Sequence, residues 1–244
     1  MTNPIIIIPA RMASTRLPGK PLADINGTPM IVHVWRRATE AGIGPVTVAC
    51  AEADIATAIT DAGGHAMLTR PDHPSGTDRI YEALQSLDPA GRHDVIINLQ
   101  GDLPTLDANL IHVTAALLEP AVSEISTVAA VITDPEEITS SSVVKAIVSL
   151  AEGARSGRAL YFSRNPGPSG AGPLLHHIGI YGFRRAALDR FVSLAPSPLE
   201  GREKLEQLRA LEHGMRIDVG LVDTVPLGVD TSADLDRARA ILSA

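Results

Sequence analysis

Ile5-Ile6-Ile7-Ile8-Pro9-Ala10-Arg11-Met12-Ala13-Ser14-Thr15-Arg16-Leu17-Pro18-Gly19-Lys20 is the stretch from which the fold is read. Four consecutive isoleucines with no polar alternation, bounded by prolines, are expected for a strand covered on both faces, as at the centre of a parallel sheet. The residues after Pro9 have the opposite character. Arg11, Arg16 and Lys20 bring three cations within ten residues, and Ser14, Thr15 and the backbone add donors. In open α/β sheets ligands bind beyond the carboxyl ends of the strands, which is where this loop falls. Several N–H donors with fixed cations suit a triphosphate and the charge that develops as pyrophosphate leaves. An arbitrary basic loop would only be solvated; the position after a buried strand favours the functional reading. The loop is not a Walker A motif, since Ser14 stands at its first glycine and Pro21 at its Ser/Thr, and no G-x-G-x-x-G is present.

Outward from this stretch, the first half alternates short apolar runs with helix-like segments. Strands are expected at Val46–Ala49, Ala66–Leu68 and Val95–Leu99, with helices over Met30–Ala41, Asp54–Ala62 and Asp78–Leu87 and an Asn26-Gly27 turn. That alternation predicts βαβ units, hence an α/β fold with a mostly parallel central sheet flanked by helices. The second half is less regular. Strands are expected at Ser126–Ile132, Val143–Val148, Ala159–Phe162, Ile178–Phe183 and Ile217–Val222, with helices over Arg184–Val192, Leu199–His213 and Ser232–Leu242. The Gly/Pro/Ser-rich stretch Asn165–Pro173 reads as a loop. No linker splits the chain, so residues 1–244 are expected to form one domain.

Composition narrows the function. The 244 residues are 45% hydrophobic but only 3% aromatic, so the core rests on Ala, Val, Ile and Leu. The net charge is −7, whereas a nucleic-acid binder shows a basic excess, so neither DNA nor RNA is expected as a partner. The one cysteine, Cys50, permits no intramolecular disulfide and no Cys-based zinc cage, and reads as a small core residue. No apolar run reaches membrane-spanning length and the start of the chain has no signal-peptide pattern. A soluble, cytoplasmic protein without membrane insertion is expected.

Three further constellations stand out. Gln100-Gly101-Asp102 follows a buried strand, so Asp102 should project at the sheet edge where Arg11 lies. A carboxylate there suits Mg²⁺, although a lone Gly-Asp is more often a turn. Asp230, in Gly228-Val229-Asp230-Thr231, could complete a metal pair or merely cap the last helix. Ser75-Gly76-Thr77-Asp78-Arg79 could read a base edge, but on spacing alone Thr77 as a plain helix cap is favoured. His176-His177 lack metal-ligand spacing, and no G-x-S-x-G supports a nucleophilic hydrolase.

Ile8–Leu22, with its Ala-Ser-Thr-Arg-Leu-Pro-Gly-Lys string, resembles the opening of the 3-deoxy-manno-octulosonate (KDO) cytidylyltransferases. The likeness continues through Gly27–Val34, Ser75–Arg79, Asn98–Asp102, Val144-Lys145, Ala159–Arg164, His177–Gly182, Pro196–Glu200, Leu205–Arg209 and Gly228–Thr231. The resemblance implies a Rossmann-like nucleotidyltransferase fold and transfer of CMP from CTP to the anomeric hydroxyl of KDO. The products would be CMP-KDO, used for lipopolysaccharide, and pyrophosphate, with Mg²⁺ required. It further implies that Arg11, Ser14, Arg16 and Lys20 hold the triphosphate and that Ser75, Gly76 and Arg79 complete the CTP site. Asp102 and Asp230 would hold metal and, with Lys20 and Arg16, form the catalytic set. Gln100, Arg164, His177, Tyr181, Glu206 and Gln207 would face the sugar, with Arg164 a fitting partner for its carboxylate. A homodimer is implied, built around residues 133–182. The chain departs from the family pattern at Leu103 and Ala51, at Ser140–Val143 and in the short loop after Arg164. These departures leave open a modified sugar, such as an 8-amino analogue; a nearby alternative is a nucleotidyltransferase with another acceptor, such as sialic acid or a sugar phosphate. A different class of reading is a nucleotide-binding regulator without activity.

Overall fold

The computed structural model describes residues 2–14, 16–120 and 122–243. In chain order the strands are β1 (Pro4–Ala10), β2 (Asp24–Ile25), β3 (Thr28–Pro29), β4 (Val46–Cys50), β5 (His65–Leu68), β6 (Val95–Leu99), β7 (Ile125–Val131), β8 (Lys145–Ser149), β9 (Ser156–Ser163), β10 (Leu175–Arg184) and β11 (Ile217–Val222). The helices are α1 (Met30–Glu40), α2 (Ala53–Asp61), α3 (Gly76–Leu87), α4 (Ala108–Ala116), α5 (Pro135–Thr139), α6 (Arg185–Ser193), α7 (Pro198–Glu203), α8 (Gln207–Glu212) and α9 (Ser232–Leu242). They fall into two compact units, Met1–His112 with Pro226–Ala244, and Val113–Val225.

The first unit is the βαβ half. Its strands pair in parallel in the order β5-β4-β1-β6. Ile5–Ile8 are buried on both faces, as the unbroken isoleucine run requires. Asn26 and Gly27 both take positive φ, the left-handed pair that a tight β2–β3 hairpin demands. The end of the chain joins this unit. Thr231 caps α9 and forms a capping box with Asp234, while Leu235 and Ala238 pack with Ile25, Met30 and Val229. That packing fixes the turn carrying Asp230.

The second unit is mixed. β7 pairs antiparallel with β10 and parallel with β11, β11 antiparallel with β9, and β9 antiparallel with β8. Several expectations change here. The strands expected at Val143–Val148, Ala159–Phe162 and Ile178–Phe183 run over Lys145–Ser149, Ser156–Ser163 and Leu175–Arg184. The single helix expected over Leu199–His213 is two short helices, because Lys204 takes a left-handed conformation and its N–H closes α7 onto the Glu200 carbonyl. Among the described residues no helix is long and apolar enough to cross a membrane.

Candidate active site

β1 and β6 lie side by side, so the loops leaving their carboxyl ends emerge together. Gly101 makes this close: a Cβ there would stand 3.0 Å from the Pro9 carbonyl oxygen. Between these loops and the start of α3 lies a pocket of about 380 Å³, lined by Arg11, Ser14, Arg16, Lys20, Gly76 and Asp102 among others. Thr15 lies outside the described residues.

The basic loop turns back on itself to reach β6. Gly19 sits at φ +71° and donates to the Met12 carbonyl at 3.3 Å, and a short 3-10 turn, Lys20–Leu22, comes next. This aims Lys20 Nζ at two carboxylates. It lies 3.0 Å from Asp102 Oδ2 and 3.0 Å from Asp230 Oδ1. Arg16 Nη2 takes the other oxygen of Asp230, also at 3.0 Å. Burial alone would lower the Lys20 pKa, but Asp102 and Asp230 outweigh it and hold the value above the ordinary one. Lys20 is therefore a fixed ammonium ion at neutral pH. Asp230 is not the cap of α9, a role Thr231 fills. Leu103 is buried beside Gly228 of the same turn.

Two oxygens already converging on one positive centre, at a pocket lined by cations, form a hard-donor set that fits a divalent cation sharing phosphate oxygens. Among the described residues no group of three or more His, Cys, Asp or Glu converges as a metal cage.

At the far side of the pocket, Ser75 rather than Thr77 caps α3, accepting from the Asp78 N–H and donating to its carboxylate at 2.7 Å. Thr77 is buried, and its hydroxyl accepts from Asn98 Nδ2. Asn98 in turn accepts from Gln100 Nε2 at 3.1 Å, which orients Gln100 beside Gly76. Arg79 borders the pocket but is 2% exposed. Its Nη1 donates to Thr69 Oγ1 and the Arg70 carbonyl, so much of its donor capacity holds the 69–71 segment in place.

Two residues of this unit escape sequence reasoning. His73 lines the pocket and is fastened to Glu82 on α3, a pairing visible only once the segment before α3 folds back over it. Glu52 accepts from the Met12 N–H at 3.0 Å and so anchors the basic loop.

The residues assigned to the sugar, apart from Gln100, stand in the second unit. Arg164 follows β9; its Nε donates to the Glu203 carbonyl at 3.0 Å and its Nη1 to the Ser141 carbonyl at 2.8 Å. The same corner is braced by Lys145. Its side chain is fully buried and its ammonium donates to the carbonyls of Ser140, Val143 and Arg164. His177 and Tyr181 lie on β10 with ring centroids 5.5 Å apart. Burial, and to a lesser degree His176, lowers His177 to about 3; burial, with Glu206 behind it, raises Tyr181 well above its ordinary value. Both are neutral at physiological pH. Glu206 precedes α8 and the buried Gln207 begins it. His176 bonds to Glu137 and His177 to Thr127, so the adjacent histidines have separate protein partners.

Residues 5–217 match the family model described as Cytidylyltransferase. A 3-deoxy-manno-octulosonate cytidylyltransferase of Paramagnetospirillum magneticum is 63% identical over 243 residues, covering 99% of this chain and 98% of the relative. One of Parvibaculum lavamentivorans is 65% identical over 242 residues, covering 99% of this chain and 93% of its own. The solved structure of a CMP:2-keto-3-deoxy-manno-octonic acid synthetase complexed with CTP is 38% identical and superposes with a TM-score of 0.90 over 99% of both chains.

Proposed function

The chain belongs to the 3-deoxy-manno-octulosonate cytidylyltransferases, and on that basis we propose that it transfers CMP from CTP to the anomeric hydroxyl of KDO, releasing pyrophosphate. The product is the activated sugar used in lipopolysaccharide synthesis. The observation that carries this reading is the pair Asp102 and Asp230 meeting at Lys20 Nζ, each 3.0 Å away, on a pocket lined by Arg11, Ser14 and Arg16.

In this reaction the sugar oxygen forms a bond to the α-phosphorus, the bond from that phosphorus to the bridging oxygen breaks, and the hydroxyl proton is lost. Arg11, Ser14, Arg16 and Lys20 bind the triphosphate, and Arg16 and Lys20 neutralise charge that accumulates on the departing pyrophosphate. Asp102 and Asp230 would hold Mg²⁺, which when bound supplies Lewis-acid stabilisation of the α-phosphoryl group and acidifies the attacking hydroxyl. Ser75, Gly76 and Arg79 border the cytosine end. Arg164 pairs with the sugar carboxylate, and Gln100, His177, Tyr181, Glu206 and Gln207 bind its hydroxyls.

The protein works as a homodimer through the region around residues 133–182. This is supported by the apolar Val131 and Leu160, 46% and 57% exposed, at that region and its border. Sedimentation should report a dimer at micromolar concentration; a clean monomer would count against it. The use of CTP supports a cytoplasmic location for the reaction. Product analysis with each of the four ribonucleoside triphosphates tests the nucleotide: CMP-sugar from CTP supports the reading, and equal use of UTP or ATP contradicts it.

A further inference from the structure

β10 does not pair evenly with β7. Ile178 stands opposite Val128, but the next pair is Tyr181 opposite Thr127, so Gly179 and Ile180 form a bulge. Bulges re-aim the side chains around them. Four residues of regular strand would set two side chains about 13 Å apart, whereas the His177 and Tyr181 rings lie 5.5 Å apart.

Thr127 sits at the centre of the irregularity. Its Oγ1 lies 2.8 Å from the Ile180 carbonyl oxygen, 3.2 Å from that of Ile178 and 3.0 Å from His177 Nε2. A hydroxyl has one proton, and a carbonyl can only accept. The Ile180 carbonyl, at 2.8 Å the shortest of the three contacts, takes the Thr127 proton, which leaves the hydroxyl lone pair to accept a hydrogen bond from His177. That requires the imidazole hydrogen to be on Nε2. The ring is held from the sides as well, by Phe162 edge-on at 4.9 Å and by Tyr181. Burial keeps the imidazole neutral, as its pKa near 3 reflects. A neutral ring with its hydrogen on Nε2 carries a lone pair on Nδ1, which has no hydrogen-bond partner among the described residues.

We propose that Thr127 is a positioning residue that fixes His177 as the Nε2–H tautomer, so that Nδ1 accepts a hydrogen bond from a substrate hydroxyl. The ring then does not serve as a cation for the substrate carboxylate, which is left to Arg164. The ligand class is a polyhydroxylated sugar acid, and the inference rests on the reading of His177 as part of the sugar site. It separates two tasks that the motif alone leaves merged: charge recognition by an arginine, and hydroxyl recognition by a histidine acting only as acceptor.

The test begins with the ¹⁵N spectrum of the histidine rings in the full-length protein near neutral pH. His177 should show a protonated Nε2 and an unprotonated Nδ1. Thr127→Val keeps the shape but removes the acceptor; it should lose that signature and raise KM for KDO roughly 10-fold, the worth of one buried hydrogen bond. KM for CTP should stay within about twofold, since CTP makes no use of the contact. Thr127→Ser, which restores the hydroxyl, should restore both the signature and the KM. A wild-type His177 protonated on Nδ1 or on both nitrogens would overturn the proposal, whether or not any variant folds. So would a folded Thr127→Val protein with unaltered KM for KDO. A wild-type protein with the expected spectrum and no turnover of KDO would overturn the functional reading while upholding the tautomer lock.

Discussion

The backbone carbonyl of Asp102 accepts a hydrogen bond from the Val229 N–H at 2.9 Å, tying the turn after β6 to the turn before α9. This bond, with the packing of Val229 against Ile25 and Met30, brings Asp230 to face Lys20 beside Asp102. Two acids from distant parts of the sequence thereby share one cation.

Asp102→Asn and Asp230→Asn should each abolish turnover while leaving the fold intact. Neither side chain is core: they are 34% and 44% exposed. Weakening a metal ligand should cost several kcal/mol in the transition state, on the order of 10²-fold or more in rate. Pyrophosphate release and a thermal melt on each variant check this. Near-normal turnover in either one contradicts the metal assignment.

Lys20→Ala and Arg164→Ala should separate chemistry from binding. On the proposed reading Lys20 acts on phosphates whose charge changes as pyrophosphate departs, and Arg164 on a carboxylate whose charge does not. The first variant should mainly lower kcat. The second should mainly raise KM for KDO, with a loss of roughly 2–5 kcal/mol if the carboxylate loses its cation. Arg164 also binds the carbonyls of Ser141 and Glu203, so Arg164→Ala should melt earlier as well. Normal KM for KDO in a less stable Arg164→Ala protein would leave only the bracing role.

His177 should make folding sensitive to acid. Its folded pKa, about 3, lies below the value near 6.5 of an exposed histidine. Below pH ~6.5 the unfolded chain gains a proton that the folded chain refuses, so this share of stability is whole above that pH and is lost as pH falls toward 3. The slope approaches ~1.4 kcal/mol per pH unit at its steepest. Denaturant titrations of wild type and His177→Asn between pH 7 and pH 5, above the range where carboxylates dominate, should give a flatter profile for the variant. Parallel profiles would contradict the neutral, buried ring.

Much of the nucleotide half is legible in the sequence, because burial there leaves a strong local trace. Ile5–Ile8 is an unbroken apolar run and Val95–Leu99 is apolar but for Asn98, and each becomes a buried strand. Thr231 and Asp234 announce the start of α9. Other features leave no such trace. The apolar residues of α4 are spread around its axis, so no stripe marks it. Lys204 breaks a helix by adopting a left-handed backbone that nothing in its chemistry requires. Ser75 and Thr77 are equally suitable caps, and the choice between them depends on Asn98, more than twenty residues away in sequence and bonded to Thr77. In the site, the cations and Asp102 can be located from their positions after buried strands. The partnership of Asp230 with Lys20, the fastening of His73 to Glu82 and the hold of Thr127 on His177 are tertiary, and only the folded chain displays them.

The most direct test of the proposed function is pyrophosphate release by the full-length protein from CTP and Mg²⁺, measured with KDO, with sialic acid, with a sugar phosphate and with no acceptor. Release that depends on KDO, with CMP-KDO formed in equal amount and little release in the other three, is the predicted result. Release that is independent of KDO, or CTP binding without turnover under any of the four conditions, would contradict it.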